Sequence, residues 1–290
     1  MSRAAEQLHV AQPALSKTIR ALEEELETTL LQRNALGVTA TEAGKRLYDH
    51  CQTIFQQVDR ACLEVRKSGA DPHARVSVGM PLSLAMVLAL PFLKAASEQF
   101  PDVRLELTQV HSHQLAAQVQ AGAIDFAVMA RPRFQADITI RTLVVEDFFY
   151  VDRRSEVCRM TTRPISFAEA AQRPVILPSV GNGVRMEAER YFSERSLQLN
   201  IAHEIDAVWM IPRCVEAGLG ASFLPGGWLQ RDPCYRKLVR RRFENGWTRP
   251  VAVCHTSAIL APPAQALISL LERVVSDLVG TGQWLGAQRT

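Results

Sequence analysis

The run from Ala4 to Leu26, Ala-Ala-Glu-Gln-Leu-His-Val-Ala-Gln-Pro-Ala-Leu-Ser-Lys-Thr-Ile-Arg-Ala-Leu-Glu-Glu-Glu-Leu, constrains the fold of this chain more than any other segment. It has the pattern of a helix-turn-helix, in which the second helix enters the DNA major groove. Placed at about 100° per residue from Gln12, the residues Leu15, Ile19, Leu22 and Leu26 fall in one narrow sector, suited to packing on the preceding helix. Gln12, Pro13, Ser16, Lys17 and Arg20 take the opposite side. These residue types reach base edges and phosphates: Gln for adenine, Lys or Arg for guanine, Ser for bases or backbone. Pro13 is tolerated in a first helical turn, where backbone N–H groups have no helical partner. Glu23, Glu24, Glu25 and Glu27 would be repelled by phosphate, so only the first two turns are suited to DNA. A helix with a merely solvated polar face is the plainer reading of the same pattern.

The segment Ala4-Ala5-Glu6-Gln7-Leu8-His9-Val10-Ala11-Gln12-Pro13-Ala14-Leu15-Ser16 decides between them when taken with Ile19, Leu22-Glu23, Leu26, Arg33 and Thr41-Glu42-Ala43-Gly44. In order and spacing it resembles the LysR-type transcriptional regulators. The resemblance implies a winged helix-turn-helix head over 1–41, a dimerising linker helix over 42–67 and a ligand-sensing regulatory domain. It also implies Arg33 as a DNA contact of the wing and a dimer or tetramer on double-stranded promoter DNA. Three departures stand out. The chain begins after the point where the family's first helix starts, so Leu15 and Ile19 are expected to lose some packing. Ala11 stands where the family has Ser or Thr, which forfeits an N-cap of about 1 kcal/mol. The wing around Asn34-Ala35-Leu36-Gly37 lacks basic residues, leaving Arg33 alone. The rival reading is a ligand-binding protein with an incomplete, non-functional head.

Bulk charge is uninformative. The formal net charge is +3, and 1–67 holds nine Lys/Arg against nine Asp/Glu. DNA binding therefore rests on local pattern. Hydrophobic content of 47% supports more than one buried core. No stretch reaches the roughly 18 uninterrupted apolar residues of a membrane span, and the N-terminus has no signal-peptide core. A cytoplasmic protein is expected. The six cysteines are scattered without a C-x-x-C, which fits reduced thiols better than a disulfide frame or zinc site. His111 and His113 alternate on an expected strand, too few ligands for a metal.

From about Thr41 to Lys67 a long helix is expected. Leu47, Cys51, Ile54, Val58, Ala61 and Val65 recur at intervals of four and three, a heptad seam that a partner helix or the protein's own regulatory domain would cover. Ser68-Gly69-Ala70-Asp71-Pro72 reads as a hinge, 68–74. Strands and helices then alternate: strands at 75–80, 103–110, 124–129, 175–177, 199–204 and 250–255, helices at 91–99, 114–121, 184–196, 207–217 and 264–279. The βαβ succession predicts a mostly parallel sheet. By resemblance, these form two α/β lobes shaped like a periplasmic binding protein, one from 75–152 with 256–290, the other from 153–255.

Ligands of such sheets sit at the carboxyl ends of strands, where helix N-termini point. Three places fit: Pro81-Leu82-Ser83, the turn Pro178-Ser179-Val180-Gly181-Asn182-Gly183, and Ala130-Arg131, whose guanidinium could pair with a carboxylate. The family's effector pockets use the loops corresponding to Ser83 and Ser179–Asn182, so the expected effector site is Leu82, Ser83, Arg131, Ser179, Val180 and Asn182. A small anionic metabolite is the expected effector; helix capping by Ser83 and Ser179 is the plainer alternative. No catalytic set is recognisable and no cofactor is expected. Gly218-Leu219-Gly220 lacks the third glycine and the preceding strand of a dinucleotide fingerprint. There is neither a G-x-S-x-G elbow nor a Walker loop. The basic run Arg236, Lys237, Arg240, Arg241 and Arg242 reads as a charged strand edge that resists aggregation.

Overall fold

The computed structural model describes residues 4–5, 10–34, 37–48, 50–51, 54, 74–132, 138–153, 163–257 and 260–289. They belong to two compact units, Met1–Arg66 and Lys67–Thr290.

In the first unit, α1 spans Gln12–Glu25, and its N-cap Ala11 makes no side-chain capping bond, as its methyl side chain dictates. Glu23, expected only to repel phosphate, has a structural task. Its Oε1 accepts from the backbone N–H groups of Leu30 (2.7 Å) and Leu31 (3.0 Å). It thereby ties α1 to β1 (Leu31–Asn34), which pairs antiparallel with β2 (Gly37–Ala40) as the wing hairpin. The next helix begins at 42. Thr41 Oγ1 donates to the Thr29 carbonyl at 2.7 Å and accepts from the Gly44 N–H at 3.0 Å. A Cβ on Gly44 would lie 2.1 Å from the Leu30 carbonyl oxygen, so only glycine lets the helix approach the wing here. Residues 42–48, 50, 51 and 54 are helical; Leu47 and Cys51 are half-buried and Ile54 is exposed. Val58, Ala61, Val65 and the hinge 68–73 lie outside the described residues.

The second unit holds an eight-stranded sheet with β10-β6-β11-β5-β3-β4 as its path, β9 and β12 also pairing with β6, and a separate pair β7-β8. The strands are β3 (Ala74–Met80), β4 (Val103–Gln109), β5 (Phe126–Ala130), β6 (Ile138–Arg153), β7 (Val175–Leu177), β8 (Ile201–Glu204), β9 (Ser222–Pro225), β10 (Leu238–Arg242), β11 (Thr248–Thr256) and β12 (Ala287–Arg289). The expectation of a mostly parallel sheet is corrected. Among the described strands, only β3-β4, β3-β5 and β7-β8 pair in parallel, while those on β6 and β11 run antiparallel. Local βαβ succession governs only the strands joined by helices; β6 and β11 meet by long-range pairing.

The sixteen-residue β6 runs from one core into another. Its Val144 packs with Val76, Met80, Leu84, Phe92, Phe126, Val251 and Leu271. Its Phe148 and Tyr150 join an aromatic core of Phe167, Phe192, Phe223, Phe243 and Trp247, in which the Phe148 and Trp247 rings stack at 4.6 Å. These two cores give the unit two lobes. The closing helix Pro262–Gly280 packs on the first.

Two element assignments change. The helix expected from Pro91 begins at Leu82 and passes through Pro91 to Gln99. Burial of Leu84, Val87, Leu88 and Phe92 outweighs the lost backbone bond. His111 and His113 are not on a strand: β4 ends at Gln109, His111 is the N-cap of the helix Ser112–Gln120, and His113 lies in its first turn.

Candidate functional site

On α1, the side chains of Gln12, Pro13, Ser16, Lys17, Arg20, Ala21 and Glu24 border one surface groove. Gln12, Pro13, Lys17 and Arg20 are exposed. Ser16 departs from the expected exposed flank: it is 8% exposed and accepts a hydrogen bond from Gln12 Nε2 at 3.0 Å. It sits roughly 60° from Ile19 on the helical wheel, at the seam between the two faces. Leu26 leaves the apolar sector because α1 ends at Glu25, and its side chain is exposed. The backbone of Arg33 stands on β1 opposite Val38; its side chain lies outside the described residues.

In the second unit a cavity of 250 Å³ opens at the carboxyl ends of β3, β4 and β8. Its wall includes Leu82, Ser83, His111, Ser112, Asn182, Gly183, Asp206, Trp209 and Arg249. The helices Leu82–Gln99, Ser112–Gln120 and Gly183–Ser193 all begin on it, bringing first-turn N–H groups and positive dipole ends to one space. Two of these ends nearly touch: a Cβ on Gly183 would stand 3.3 Å from Ser112 Oγ.

Of the expected effector residues, Leu82, Ser83 and Asn182 line this cavity. Asn182 also caps its helix, Oδ1 accepting from the Val184 N–H at 2.9 Å. Ser179 and Val180 are not on the wall, and Val180 is 76% exposed. The turn they form carries the chain to Asn182 through Gly181 at φ +91°, which points the turn's apex outward. Arg131 is not on the wall either. Its Nε donates to Glu187 Oε1 at 2.8 Å and its NH2 to the Thr248 carbonyl at 3.1 Å, so its guanidinium already has a carboxylate.

The guanidinium on the cavity wall is that of Arg249, which sequence reasoning missed. It is 2% exposed and faces Glu146, which is 0% exposed, with N···O distances of 2.6 and 2.8 Å. Arg249 NH2 also donates to Ser83 Oγ at 3.1 Å. Glu146 Oε2 accepts from the Trp284 indole N–H at 2.9 Å. The only hint in the sequence is an arginine at the head of the apolar run Pro250–Cys254; its partners lie 103 and 166 residues away. Asp206 was likewise missed, because it sits on a loop with no periodicity, and His111, weighed only as a metal ligand on a strand, lines the cavity from a helix N-cap.

The basic run on β10 and the turn before it is more than a solvated edge. Arg241 forks onto Glu169, Arg242 NH1 meets Asp147 at 2.5 Å, and Lys237 meets Glu216 at 2.6 Å. Burial pushes the Cys234 thiol up to about 11 and the Cys254 thiol up to about 12, which makes both unreactive at neutral pH. Among the described residues, no group of three or more His, Cys, Asp or Glu could hold a metal ion. Nor is any helix among them long and apolar enough to cross a membrane.

The bacterial regulatory helix-turn-helix protein, lysR family, matches residues 1–45, and the LysR substrate binding domain matches residues 69–276. The nitrogen assimilation regulatory protein nac of Klebsiella aerogenes is 31% identical over 287 residues, 95% of this chain and 90% of its own. The nac protein of Escherichia coli K12 is 30% identical over 290 residues, 96% and 91% of the two chains. Full-length BenM, a solved structure, matches with a TM-score of 0.63 at 20% identity, covering 98% of this chain and 93% of its own. Full-length CbnR, solved with its target DNA, gives 0.63 at 19% identity and 94% and 93% coverage. At these identities the solved structures speak for the fold.

Proposed function

The chain belongs to the LysR family of DNA-binding transcriptional regulators, and from this we propose that a small carboxylate-bearing metabolite, held in the cavity of the second unit, sets its grip on promoter DNA. The observation that carries the proposal is the convergence of three helix N-termini, Ser83 and Arg249 on one cavity. Donors so arranged favour an anionic group. Leu82, Ser83, Asn182 and Arg249 are the effector contacts in this reading.

In the head, Gln12, Pro13, Lys17, Arg20 and Arg33 contact DNA, with Ser16 holding the Gln12 amide in place. The exposed Ile54 on the expected seam suits a linker over 42–67 that pairs with a second copy, giving a dimer or a dimer of dimers that reads two half-sites in the cytoplasm. An effector that prefers one lobe arrangement then shifts DNA affinity, by no more than its differential affinity for the two states.

Titration calorimetry of the full chain with a panel of carboxylates and sulfonates tests the effector reading. Heat from some of them is expected; heat only from cationic or purely apolar compounds overturns it. Gln12→Ala should relax base preference by about 1–3 kcal/mol, and Ser16→Ala should follow it partway. Unchanged preference in both variants overturns the DNA-face assignment.

A further inference from the structure

The charges around the cavity do not match a plain anion. Among the described residues, Arg249 is the only Lys or Arg on its wall, and Glu146 already neutralises it at 2.6 Å. Asp206 also lines the cavity, at its exposed rim, and among the described residues no cation pairs with its carboxylate. A purely anionic guest would bring a second negative charge toward Asp206. A purely cationic guest would meet the positive ends of the helices starting at Leu82, Ser112 and Gly183. A guest with both signs meets neither objection.

The anionic end has a built receptor. Ser83 is 7% exposed, and its Oγ accepts from Arg249 NH2 at 3.1 Å. Its own hydroxyl proton has no acceptor among the described residues. Held by that bond, the hydroxyl can turn its own proton to an acceptor in the cavity. The backbone N–H groups of Leu82 and Ser83, in the first helical turn, stand beside it. At 250 Å³ the cavity is below the size of drug-sized pockets, so the guest is compact.

We propose that the guest is a small zwitterion of the α-amino-acid type, its carboxylate on Ser83 and the N-terminus of the helix Leu82–Gln99, and its ammonium on Asp206. This rests on the cavity being the effector site, and it narrows the class of effector.

The test is calorimetric titration of the full chain with matched pairs: L-alanine against propionate, L-serine against 3-hydroxypropionate, L-glutamate against glutarate. At least one amino acid should bind about tenfold more tightly than its des-amino partner, the order of a hydrogen bond to a charged group. Asp206→Asn should abolish that preference, weakening the amino acid while leaving or tightening the des-amino acid. Ser83→Ala should weaken both members of the pair. A residue with a merely structural role would move both ligands together in Asp206→Asn as well. Far-ultraviolet circular dichroism checks the fold of each variant. If des-amino acids bind as tightly as every amino acid, or Asp206→Asn keeps the ratio, the zwitterion is overturned while the carboxylate effector stands. If no member of any pair binds, the zwitterion is overturned, and the carboxylate effector is decided by the wider panel.

Discussion

At Glu146 and Arg249, two opposite charges lie almost wholly out of water, and each needs the other. Removing one partner of such a pair strands the other, at a cost of about 3–5 kcal/mol. Glu146→Leu is therefore expected to lower the unfolding free energy from urea titration by that amount, whereas Glu146→Leu with Arg249→Met should recover most of it. Full loss in the double variant would mean that the pair's hydrogen bonds to Ser83 and Trp284, rather than its charges, hold the site. Glu169 gives a milder, pH-dependent case. Hydrogen bonds from Arg241 hold its carboxyl below the ordinary value of 4.5. Its contribution is present above that value and is lost as pH falls through it toward the lowered folded value. The pair is partly exposed, so the amount is within about 1 kcal/mol. Glu169→Gln should flatten the acid limb of a stability-against-pH curve between pH 3 and 5, roughly the range where free carboxylates titrate. At this scale the sequence reveals residues whose local neighbours declare them. Leu82, Ser83 and Asn182 follow strand patterns, at the turn where ligands collect. Arg249 and Asp206 are known only by what folds against them.

Elements carry the next set of contacts. Glu23 on α1 holds the Leu30 and Leu31 N–H groups, while Thr41 and Gly44 draw the following helix onto the same Leu30 carbonyl. The Thr41-Glu42-Ala43-Gly44 spacing is thus a cap and a close approach, which explains why it marks a head of this kind. Glu23→Ala leaves two N–H groups without their charged acceptor and should cost the head about 1–3 kcal/mol, read as a lower first transition in thermal unfolding. An unchanged transition would mean that water replaces Glu23. In the second unit, the helix Gly226–Arg231 lies against the C-terminal segment. A Cβ on Gly227 would stand 2.4 Å from Trp284 Nε1. Gly227→Ala should therefore displace Trp284 from Glu146 and shift tryptophan emission, with about 1–3 kcal/mol of destabilisation. Unaltered emission would contradict this packing. Helix existence was readable from periodicity here, whereas starts were less so. Pro91 suggested a boundary that tertiary burial overrides, and His111 and His113 mimicked a strand's alternation at a helix entrance.

At the scale of the molecule, the family resemblance implied two α/β lobes, and two cores along β6 supply them. The alternation of strands and helices could not announce that β6 threads both cores or that β11 pairs antiparallel with β5 and β6, because those registers join residues far apart in the chain. Function follows the same division. The head is legible because the residues proposed to face DNA lie on consecutive turns of one helix, and the cavity is not, because it is assembled from segments between Pro81 and Arg249. The central claim is that α1 presents Gln12, Lys17 and Arg20 to base pairs. Its most direct test is a fluorescence anisotropy titration of the full chain with a duplex enriched by selection against it, alongside a scrambled duplex of equal length and composition at the same salt. The account predicts binding to the selected duplex at least about 1,000-fold tighter than to the scrambled one. Equal affinity for the two would contradict it.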